Sequence, residues 1–282
     1  MTNPISDPLV ENVISEEVTN APVTLEATPD GVATVTLNRP HRRNAFDAPT
    51  ILALTEIFET LQGAEGVRVV FLRGSGGSFS AGADLDWMRM AADWSEDDNR
   101  DDAMALAHML KALDIIPMLT VALVEGSAFG GGVGLVAACD MAIATQDARF
   151  AFSEVKLGLT PATISPYVVR AVGARAATGL FATGSVFGAD KALALGLVSE
   201  VVADAAALDA VKARLSSDIM ACAPGAMTDA KQLVRDVAGR EIDRALMDET
   251  ARRIARARVS EEGKEGVAAF LGKRKPAWDG RA

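Results

Sequence analysis

Two glycine-rich turns decide the fold: Ser-Phe-Ser-Ala-Gly-Ala-Asp-Leu at residues 78–85 and Val-Glu-Gly-Ser-Ala-Phe-Gly-Gly-Gly-Val-Gly-Leu at residues 124–135. Each follows a short apolar run and precedes a short helical pattern, so each is predicted to join a buried strand to a helix. Glycine permits a tight turn and a close approach of the backbone to a ligand. The first N–H groups of a helix lack partners within it and can bind an anion. Two such turns facing each other would form an oxyanion hole.

Outward from these turns, strand-like and helix-like patterns alternate. Apolar and β-branched runs predict strands at residues 23–27, 32–37, 67–72, 119–124 and 141–144, the first two forming a hairpin. Helical patterns predict helices at residues 84–90, at about 100–113, from about Gly131, and from an N-cap at Asp47 to about Leu61. Alternation of this kind indicates an α/β domain with parallel strand pairing.

The same patterns divide the chain into three parts. Residues 1–22 are polar, acidic and interrupted by proline, so we expect a flexible N-terminal extension. Residues 23–203 form the predicted α/β core. Residues 204–282 form a predicted C-terminal helical region, with breaks at Pro224-Gly225 and at Gly263.

The net charge of −10 narrows the classes of partner. An acidic chain is poorly suited to nucleic acid or to an anionic membrane surface, so neither is expected. The N-terminus lacks a basic and apolar leader, and charges and glycines interrupt the longest apolar stretch, residues 117–144. Cys139 and Cys222 lie in apolar contexts and suggest no disulfide framework. We therefore expect a cytoplasmic protein.

Other interpretations of the glycines are weaker. Residues 74–77 and 130–134 lack the third glycine of a dinucleotide fingerprint, and residues 179–185 lack the lysine of a phosphate-binding loop. A purely structural turn remains the alternative for either loop taken alone. His41 and His108 are expected to be bystanders, and without a Cys/His cluster at ligand spacing no metal site is predicted.

Four ordered motifs resemble those of the crotonase (enoyl-CoA hydratase/isomerase) superfamily. The two turns are similar to its two oxyanion-hole motifs. Residues 38–46, Asn-Arg-Pro-His-Arg-Arg-Asn-Ala-Phe, look like its coenzyme A segment, and residues 270–278 resemble its C-terminal end. The resemblance spans residues 23–279. It implies a crotonase-like α/β spiral core of repeated strand–strand–helix units with a C-terminal α-helical region, assembled as a homotrimer or a dimer of trimers.

The resemblance also implies a site for an acyl-CoA thioester. The backbone N–H groups of Ala83 and Gly131 would hold the thioester oxygen as the α-carbon becomes enolate-like. Glu154 matches the second of the family's two glutamates and is the candidate acid/base; from context alone, a surface or ion-paired carboxylate is the alternative. Gly134 stands at the place of the first glutamate and cannot transfer a proton. Coenzyme A is part of the substrate, so no separate cofactor is expected.

Arg42 and Arg43 are candidate ligands for coenzyme A phosphates, with solvated surface arginines as the alternative. The resemblance extends the coenzyme A site to Ala45, Ala81, Asp84 and Leu85. From a neighbouring subunit it adds Phe270 and Lys273. The acyl pocket is expected at Trp87, Gly130 and Gly134.

The single distal glutamate narrows the range of reactions that the resemblance implies. The chain resembles hydratases of β-branched glutaconyl-CoA, such as methylglutaconyl-CoA in leucine breakdown, especially at residues 129–135 and 153–167. A glycine at position 134 would leave volume and remove a negative charge beside the acyl group, which favours a β-methyl or anionic acyl chain. The alternatives are a single-glutamate enoyl-CoA isomerase and a non-catalytic acyl-CoA-binding homologue.

Overall fold

The computed structural model describes residues 21–279. Its nine strands are β1 (Val23–Ala27), β2 (Val32–Leu37), β3 (Val69–Gly74), β4 (Leu119–Val124), β5 (Ser127–Phe129), β6 (Met141–Thr145), β7 (Arg149–Ala151), β8 (Phe187–Gly188) and β9 (Glu200–Val202). The predicted N-terminal extension lies outside the described residues, apart from Ala21 and Pro22.

Helices follow most of the strands. They are α1 (Ala48–Gln62), α2 (Leu85–Ala91), α3 (Glu96–Asp114), α4 (Gly131–Ala138), α5 (Ser165–Val172), α6 (Ala174–Thr183), α7 (Ala189–Ala194), α8 (Ala205–Met220), α9 (Pro224–Val237), α10 (Arg244–Val259) and α11 (Glu261–Leu271). The part of the chain after β9 is therefore helical, as expected. No helix within residues 21–279 is long and apolar enough to cross a bilayer.

The main sheet has the order β1-β2-β3-β4-β6-β9. The predicted β1–β2 hairpin is confirmed, and the other neighbouring pairs are parallel. Parallel pairing puts the carboxyl ends of β3 and β4 side by side, which is where both glycine-rich turns begin. A smaller sheet, β5-β7-β8, continues from the second turn.

Apolar side chains cover both faces of the main sheet. Leu72 of β3 packs in the larger core with Leu54 of α1 and Leu113 of α3. Phe71 points to the opposite face, where α8 covers it with residues such as Leu215. Burial on both faces explains why these strands are continuous apolar runs and not alternating ones.

Buried ion pairs fasten the C-terminal helices to this core. Lys231 of α9 contacts Asp140 Oδ2 at 2.5 Å, beside the start of β6. Arg235, one turn later, contacts Asp114, which also pairs with Arg170 of α5 at 2.7 Å. Because each buried charge has a partner, these contacts fix the position of α9 on the sheet.

Two element boundaries differ from the sequence-based prediction. β3 begins two residues later than predicted, because the Arg68 N–H donates to Gly31 O at 2.7 Å and the ladder with β2 starts at Val69. α3 begins earlier than predicted, because Ser95 and Asp98 form a capping box across its first turn.

The predicted break at Gly263 is wrong. The break lies at Ser260, which caps α11, and its Oγ accepts the Gly263 N–H at 3.0 Å. Glycine is needed at 263 for a different reason: a Cβ there would lie 2.0 Å from Ala257 O. The close contact between successive helices, and not a helix end, explains this residue.

Candidate active site

A short backbone bridge holds the first predicted oxyanion-hole residue. Phe46, just before α1, pairs in parallel with Ala83. The Phe46 N–H donates to Gly82 O, and the Asp84 N–H donates to Phe46 O, each at 2.7 Å. Successive N–H groups of an extended segment point to opposite sides, so the Ala83 N–H points away from Phe46. No backbone acceptor among the described residues takes it, and it is free for a ligand.

A second bridge holds the two glycine-rich turns together. Ser80 pairs in parallel with Ala128. The Ser80 N–H donates to Ser127 O, and the Phe129 N–H donates to Ser80 O, each at 2.9 Å. Gly82 has φ +87°, and a Cβ there would lie 2.8 Å from Phe129 O. The two turns can approach this closely because residue 82 has no side chain.

Gly131 opens α4 on the second turn. As the first residue of the helix, it has no helical partner for its N–H, and no backbone acceptor within residues 21–279 takes it. A Cβ on the adjacent Gly132 would lie 2.9 Å from both Ser80 Cβ and Ser80 O. The helix start therefore packs directly against the first turn. Ala83 and Gly131 thus lie on adjoining turns, each with a free N–H.

Glu154 lies next to the second turn. It follows β7 and begins a short 3₁₀ helix, Glu154–Leu157. A Cβ on Gly130 would lie 3.1 Å from Glu154 Oε1, so the carboxyl packs against the residue that precedes Gly131. Glu154 Oε2 is buried and has no hydrogen-bond partner in the described part of the chain. This places the carboxyl in the site and not in an ion pair at the surface.

The environment of Glu154 changes its acidity. Burial raises the pKa of the Glu154 carboxyl, and a hydrogen bond from its own backbone N–H opposes the rise only in part. A carboxyl with an elevated pKa is better matched to taking up and returning a proton near neutral pH than an ordinary surface glutamate. The arrangement combines one proton-transfer group with two free N–H donors.

The volume expected beside Gly134 is absent, which corrects the sequence-based interpretation. Gly134 is buried in α4, and a Cβ there would lie 2.4 Å from Ile164 Cγ2 and 3.7 Å from Leu110 Cδ2. Ile164, directly before α5, fills the space that a longer residue at position 134 would need. The place of a second acid is therefore taken by packed apolar atoms.

Arg39 joins several parts of the loop that carries Ala83. Its Nη1 donates to Ala45 O at 2.6 Å, and its Nη2 contacts Asp47 Oδ2 at 2.8 Å and Asp84 Oδ2 at 3.1 Å. Asp84 Oδ1 accepts the Asp86 N–H at 2.9 Å and so caps α2. Burial alone would raise the pKa of Asp84, but the Asp86 N–H and the Arg39 guanidinium together bring it below its usual range.

These contacts bear on two of the predicted coenzyme A residues. Asp84 is only 4% exposed and its carboxylate is engaged by Arg39 and by the cap of α2. Ala45 is buried too, and its carbonyl accepts from Arg39. Any contact of these two residues with a coenzyme would therefore use backbone atoms.

Four further predicted coenzyme residues surround the same loop. Arg42 is exposed and pairs with Asp86 at 3.0 Å. Arg43 is exposed and has φ +50°, and its carbonyl accepts the Ala81 N–H at 2.9 Å. Leu85 is exposed at the start of α2. The two arginines are thus exposed beside the loop that carries Ala83.

The two coenzyme residues predicted on the tail lie elsewhere. Phe270 is 83% exposed at the end of α11, and Lys273 follows it with φ +51°. Farther along, Trp278 Nε1 donates to Ala221 O at 3.1 Å, just after α8. Arg68, just before β3, donates to the carbonyls at that end of α8. The tail is thus anchored toward the amino-terminal edge of the sheet, opposite to the glycine-rich turns of its own chain.

Trp87 lies in the first turn of α2, four residues after Ala83. Its Nε1 is buried and makes no well-formed hydrogen bond within the described residues. The Asp102 carboxyl of α3 is nearby: burial raises the pKa of Asp102, and the Trp87 indole N–H partly opposes this. The predicted pocket residue therefore has a buried indole N–H close to the Asp102 carboxyl of α3.

Asn44 is a structural residue of the site that sequence reasoning assigned only to the coenzyme segment. It is 1% exposed with φ +55°. Its Nδ2 donates to Ser75 O at 2.9 Å and to Ser78 O at 2.7 Å, while its Oδ1 accepts the Arg39 N–H at 2.8 Å. Asparagine tolerates the left-handed region better than most residues. In the sequence, Asn44 was indicated only by its position in the motif at residues 38–46.

The two histidines lie outside these contacts. His41 and His108 are both exposed. No group of His, Cys, Asp or Glu residues suited to hold a metal ion occurs among residues 21–279. Cys139 and Cys222 are both free thiols.

Known proteins are similar to this chain in sequence and in fold. The family described as enoyl-CoA hydratase/isomerase matches residues 27–281. The short-chain-enoyl-CoA hydratase of Clostridium acetobutylicum is 32% identical over 86% of this chain and 92% of its own. The enoyl-CoA isomerase/hydratase fer4 of Mycosarcoma maydis is 33% identical over 89% of this chain and 93% of its own. The crystal structure of an enoyl-CoA hydratase from Shewanella pealeana is 41% identical, with a TM-score of 0.87 over 91% of this chain and 96% of that one.

Proposed function

The chain belongs to the enoyl-CoA hydratase/isomerase family, and from that premise we propose that it hydrates a β-branched glutaconyl-CoA of the methylglutaconyl type. Acyl-CoA thioesters are the substrate class of the family. The finer assignment rests on one observation. Glu154, whose buried Oε2 has no partner among the described residues, packs against Gly130, next to the free N–H of Gly131, while Ile164 fills the place of a second acid.

The proposed hydration uses these groups in turn. The Glu154 carboxylate takes a proton from water as the water oxygen bonds to the β-carbon. Electron density then moves through the α-carbon to the thioester oxygen, where the N–H groups of Ala83 and Gly131 stabilise the enolate. Glu154 finally returns its proton to the α-carbon. One carboxyl is sufficient, because it acts first as a base and then as an acid.

Three features support a branched and anionic acyl group. No second carboxylate stands at position 134 to repel an acyl carboxylate. Residues 129–135 and 153–167 resemble those of hydratases that act on β-branched glutaconyl-CoA. Trp87 has a buried N–H without a well-formed hydrogen bond among the described residues, and this N–H can donate to the acyl carboxylate.

The test compares hydration of 3-methylglutaconyl-CoA with hydration of crotonyl-CoA, using kcat/KM for each. We expect the branched acid to be preferred. Glu154→Gln should lower kcat for both by about 10²- to 10⁴-fold, because the amide cannot take up a proton. Lys156→Gln, an exposed neighbour in the same 3₁₀ helix, serves as the matched control. Equal kcat/KM for the two substrates would contradict the substrate assignment.

A single-glutamate enoyl-CoA isomerase is the second candidate. The packed apolar surroundings of Gly134 favour it, because isomerisation moves one proton between carbons and needs no water beside a second acid. Incubation of 3-enoyl-CoA in deuterated water separates the two. Conversion to the 2-enoyl isomer, without any hydrated product, would identify the isomerase. A chain that binds acyl-CoA without turnover, regardless of Glu154→Gln, would be a non-catalytic homologue.

We propose the coenzyme A and assembly assignments as part of the same function. Arg42 and Arg43 would bind phosphate groups. Phe270 and Lys273 would reach the site of a neighbouring subunit in a homotrimer or dimer of trimers. The exposure of Phe270, and the anchoring of the tail away from the turns of its own chain, support a contact between subunits. A cytoplasmic location is part of this proposal.

A further inference from the structure

Arg39 is the one arginine of the motif at residues 38–46 that faces inward. Its side chain is 15% exposed, whereas that of Arg42 is 47% exposed. Three acceptors already engage its guanidinium: Ala45 O, Asp47 Oδ2 and Asp84 Oδ2. A guanidinium so occupied has little capacity left to bind a phosphate, so its role differs from that of its exposed neighbours.

The three acceptors of Arg39 lie on both strands of the bridge that carries Ala83. Ala45 and Asp47 flank Phe46 on one strand. Asp84 directly follows Ala83 on the other. The guanidinium therefore holds the two strands together from the side, while the backbone hydrogen bonds of Phe46 hold them edge to edge.

The same ion pairs orient two helices. Asp47 caps α1 through the Thr50 N–H, and Asp84 caps α2 through the Asp86 N–H. Arg39 thus ties the starts of both helices to a single guanidinium between them. Rotation of the Asp84 end of the bridge would turn the Ala83 N–H, because the two residues are adjacent.

We propose that Arg39 is a positioning residue of the oxyanion hole, which aims the Ala83 N–H at the thioester oxygen by bracing the Phe46–Ala83 bridge through Asp84 and Asp47. This rests on the proposed function of Ala83. An N–H that acts on the enolate contributes more to the transition state than to substrate binding. Loss of the brace should therefore lower kcat and leave KM nearly unchanged.

The first test is Arg39→Met. We expect kcat to fall about 10- to 100-fold, since a displaced donor loses most of its effect, with KM within about threefold of the wild type. Arg39→Lys should recover only part of the loss, because one ammonium cannot span three acceptors. Arg73→Met is the matched control. It removes the ion pair between Arg73 and Asp209, which has the same length as the Arg39–Asp84 pair, 3.1 Å, but lies on the sheet face that α8 covers.

Asp84→Asn keeps the proposal testable if Arg39→Met does not fold. The amide oxygen can still cap α2, but the charge that Arg39 binds is removed. We expect the same selective loss of kcat, to a smaller extent. In the double variant Arg39→Met/Asp84→Asn the two losses should not multiply, because both break the same contact. Multiplicative losses, or full kcat in both single variants, would overturn the proposal.

A readout without turnover separates this inference from the proposed reaction. Butyryl-CoA labelled with ¹³C at its carbonyl is saturated and cannot be hydrated. Hydrogen bonds from the oxyanion hole lower its carbonyl stretching frequency when it binds. Arg39→Met should bind it with similar affinity but with a smaller shift. If Arg39→Met showed a smaller shift than the wild type, but the wild type catalysed neither hydration nor isomerisation, the proposed reaction would be wrong and the positioning role would stand. An unchanged shift in Arg39→Met would contradict the positioning role without contradicting the proposed reaction.

Discussion

At the scale of single residues, the site depends on one carboxyl kept without a partner. Glu154 Oε2 is buried and accepts no hydrogen bond from the described residues, and burial raises the pKa of the group. A buried acceptor left unsatisfied costs free energy that folding must offset elsewhere. Such local costs are typical of functional sites, where the group must stay free for its substrate.

The raised pKa of Glu154 leads to a prediction about stability. The pKa of such a carboxyl is higher in the folded protein than in the unfolded chain. The free energy of unfolding therefore falls as pH rises through the folded-state pKa, because the group ionises more easily in the unfolded chain. Glu154→Gln should therefore unfold at a higher temperature than the wild type at neutral pH. The two proteins should converge at about pH 4, where the carboxyl is largely protonated. Thermal unfolding between about pH 4 and pH 8 measures this.

Glu265 provides a control of the opposite sign. Hydrogen bonds from Arg274 and from the Ala277 N–H lower the pKa of Glu265 to about 2. A lowered pKa stabilises the folded state above the ordinary carboxyl range, so Glu265→Gln should not raise the unfolding temperature at neutral pH. A rise in both variants would point to a general effect of lost negative charge, and the argument from burial of Glu154 would then be wrong.

At the scale of elements, the contact between α4 and the start of α5 closes the space beside Gly134. Gly134 on α4 lets Ile164 approach until no room remains for a Cβ. Gly132, on the same helix, lets the first turn approach through Ser80. Two glycines of one short helix thus let two different neighbours come close to it.

The contact between Gly134 and Ile164 can be tested by paired substitution. Gly134→Ala should destabilise the fold by about 1–3 kcal/mol, because its Cβ overlaps Ile164 Cγ2. Ile164→Ala removes that group. Adding Gly134→Ala to the Ile164→Ala variant should therefore lower the free energy of unfolding by less than adding it to the wild type. Denaturant unfolding of the four proteins gives the coupling energy. Additive losses would show that Ile164 does not fill the space.

At the scale of the whole molecule, the glycine-rich turns and the C-terminal tail lie at different edges of the sheet. Both turns follow the carboxyl ends of β3 and β4, whereas Trp278 is anchored beside the end of α8. The last two helices also expose apolar residues: Ile254, Val259, Val267, Phe270 and Leu271. A surface of this kind is typical of contact with another subunit.

Mixing two variant chains tests whether the tail serves a neighbouring site. Phe270→Ala/Lys273→Ala should raise KM with little change in kcat, because coenzyme contacts bind substrate and transition state alike. Glu154→Gln chains have an intact tail but no acid/base. If tails act between subunits, oligomers refolded from both chains should show a KM lowered toward the wild-type value. Mixing with a Glu154→Gln chain that also lacks both tail residues is the control, and no change in KM is expected there.

Much of the fold could be predicted because it depends on local patterns. The β1–β2 hairpin, β4 and the Asp47 cap of α1 occur where the sequence indicates them. The prediction of a break at Gly263 was wrong because glycine occurs both at helix ends and at close contacts between helices. The sequence alone did not distinguish these two cases.

The sequence by itself determined the α/β core, its helical C-terminal region and the pair of glycine-rich turns, because backbone propensity and turn chemistry are properties of neighbouring residues. It singled out Glu154 only through its resemblance to a family motif, since the local context left a surface carboxylate open. Only the tertiary structure decided that Ile164 fills the space beside Gly134. It also decided that Arg39 engages Asp84, 45 residues away along the chain. These contacts join segments distant in sequence, and their distances follow from how the sheet and helices pack, which no local pattern encodes.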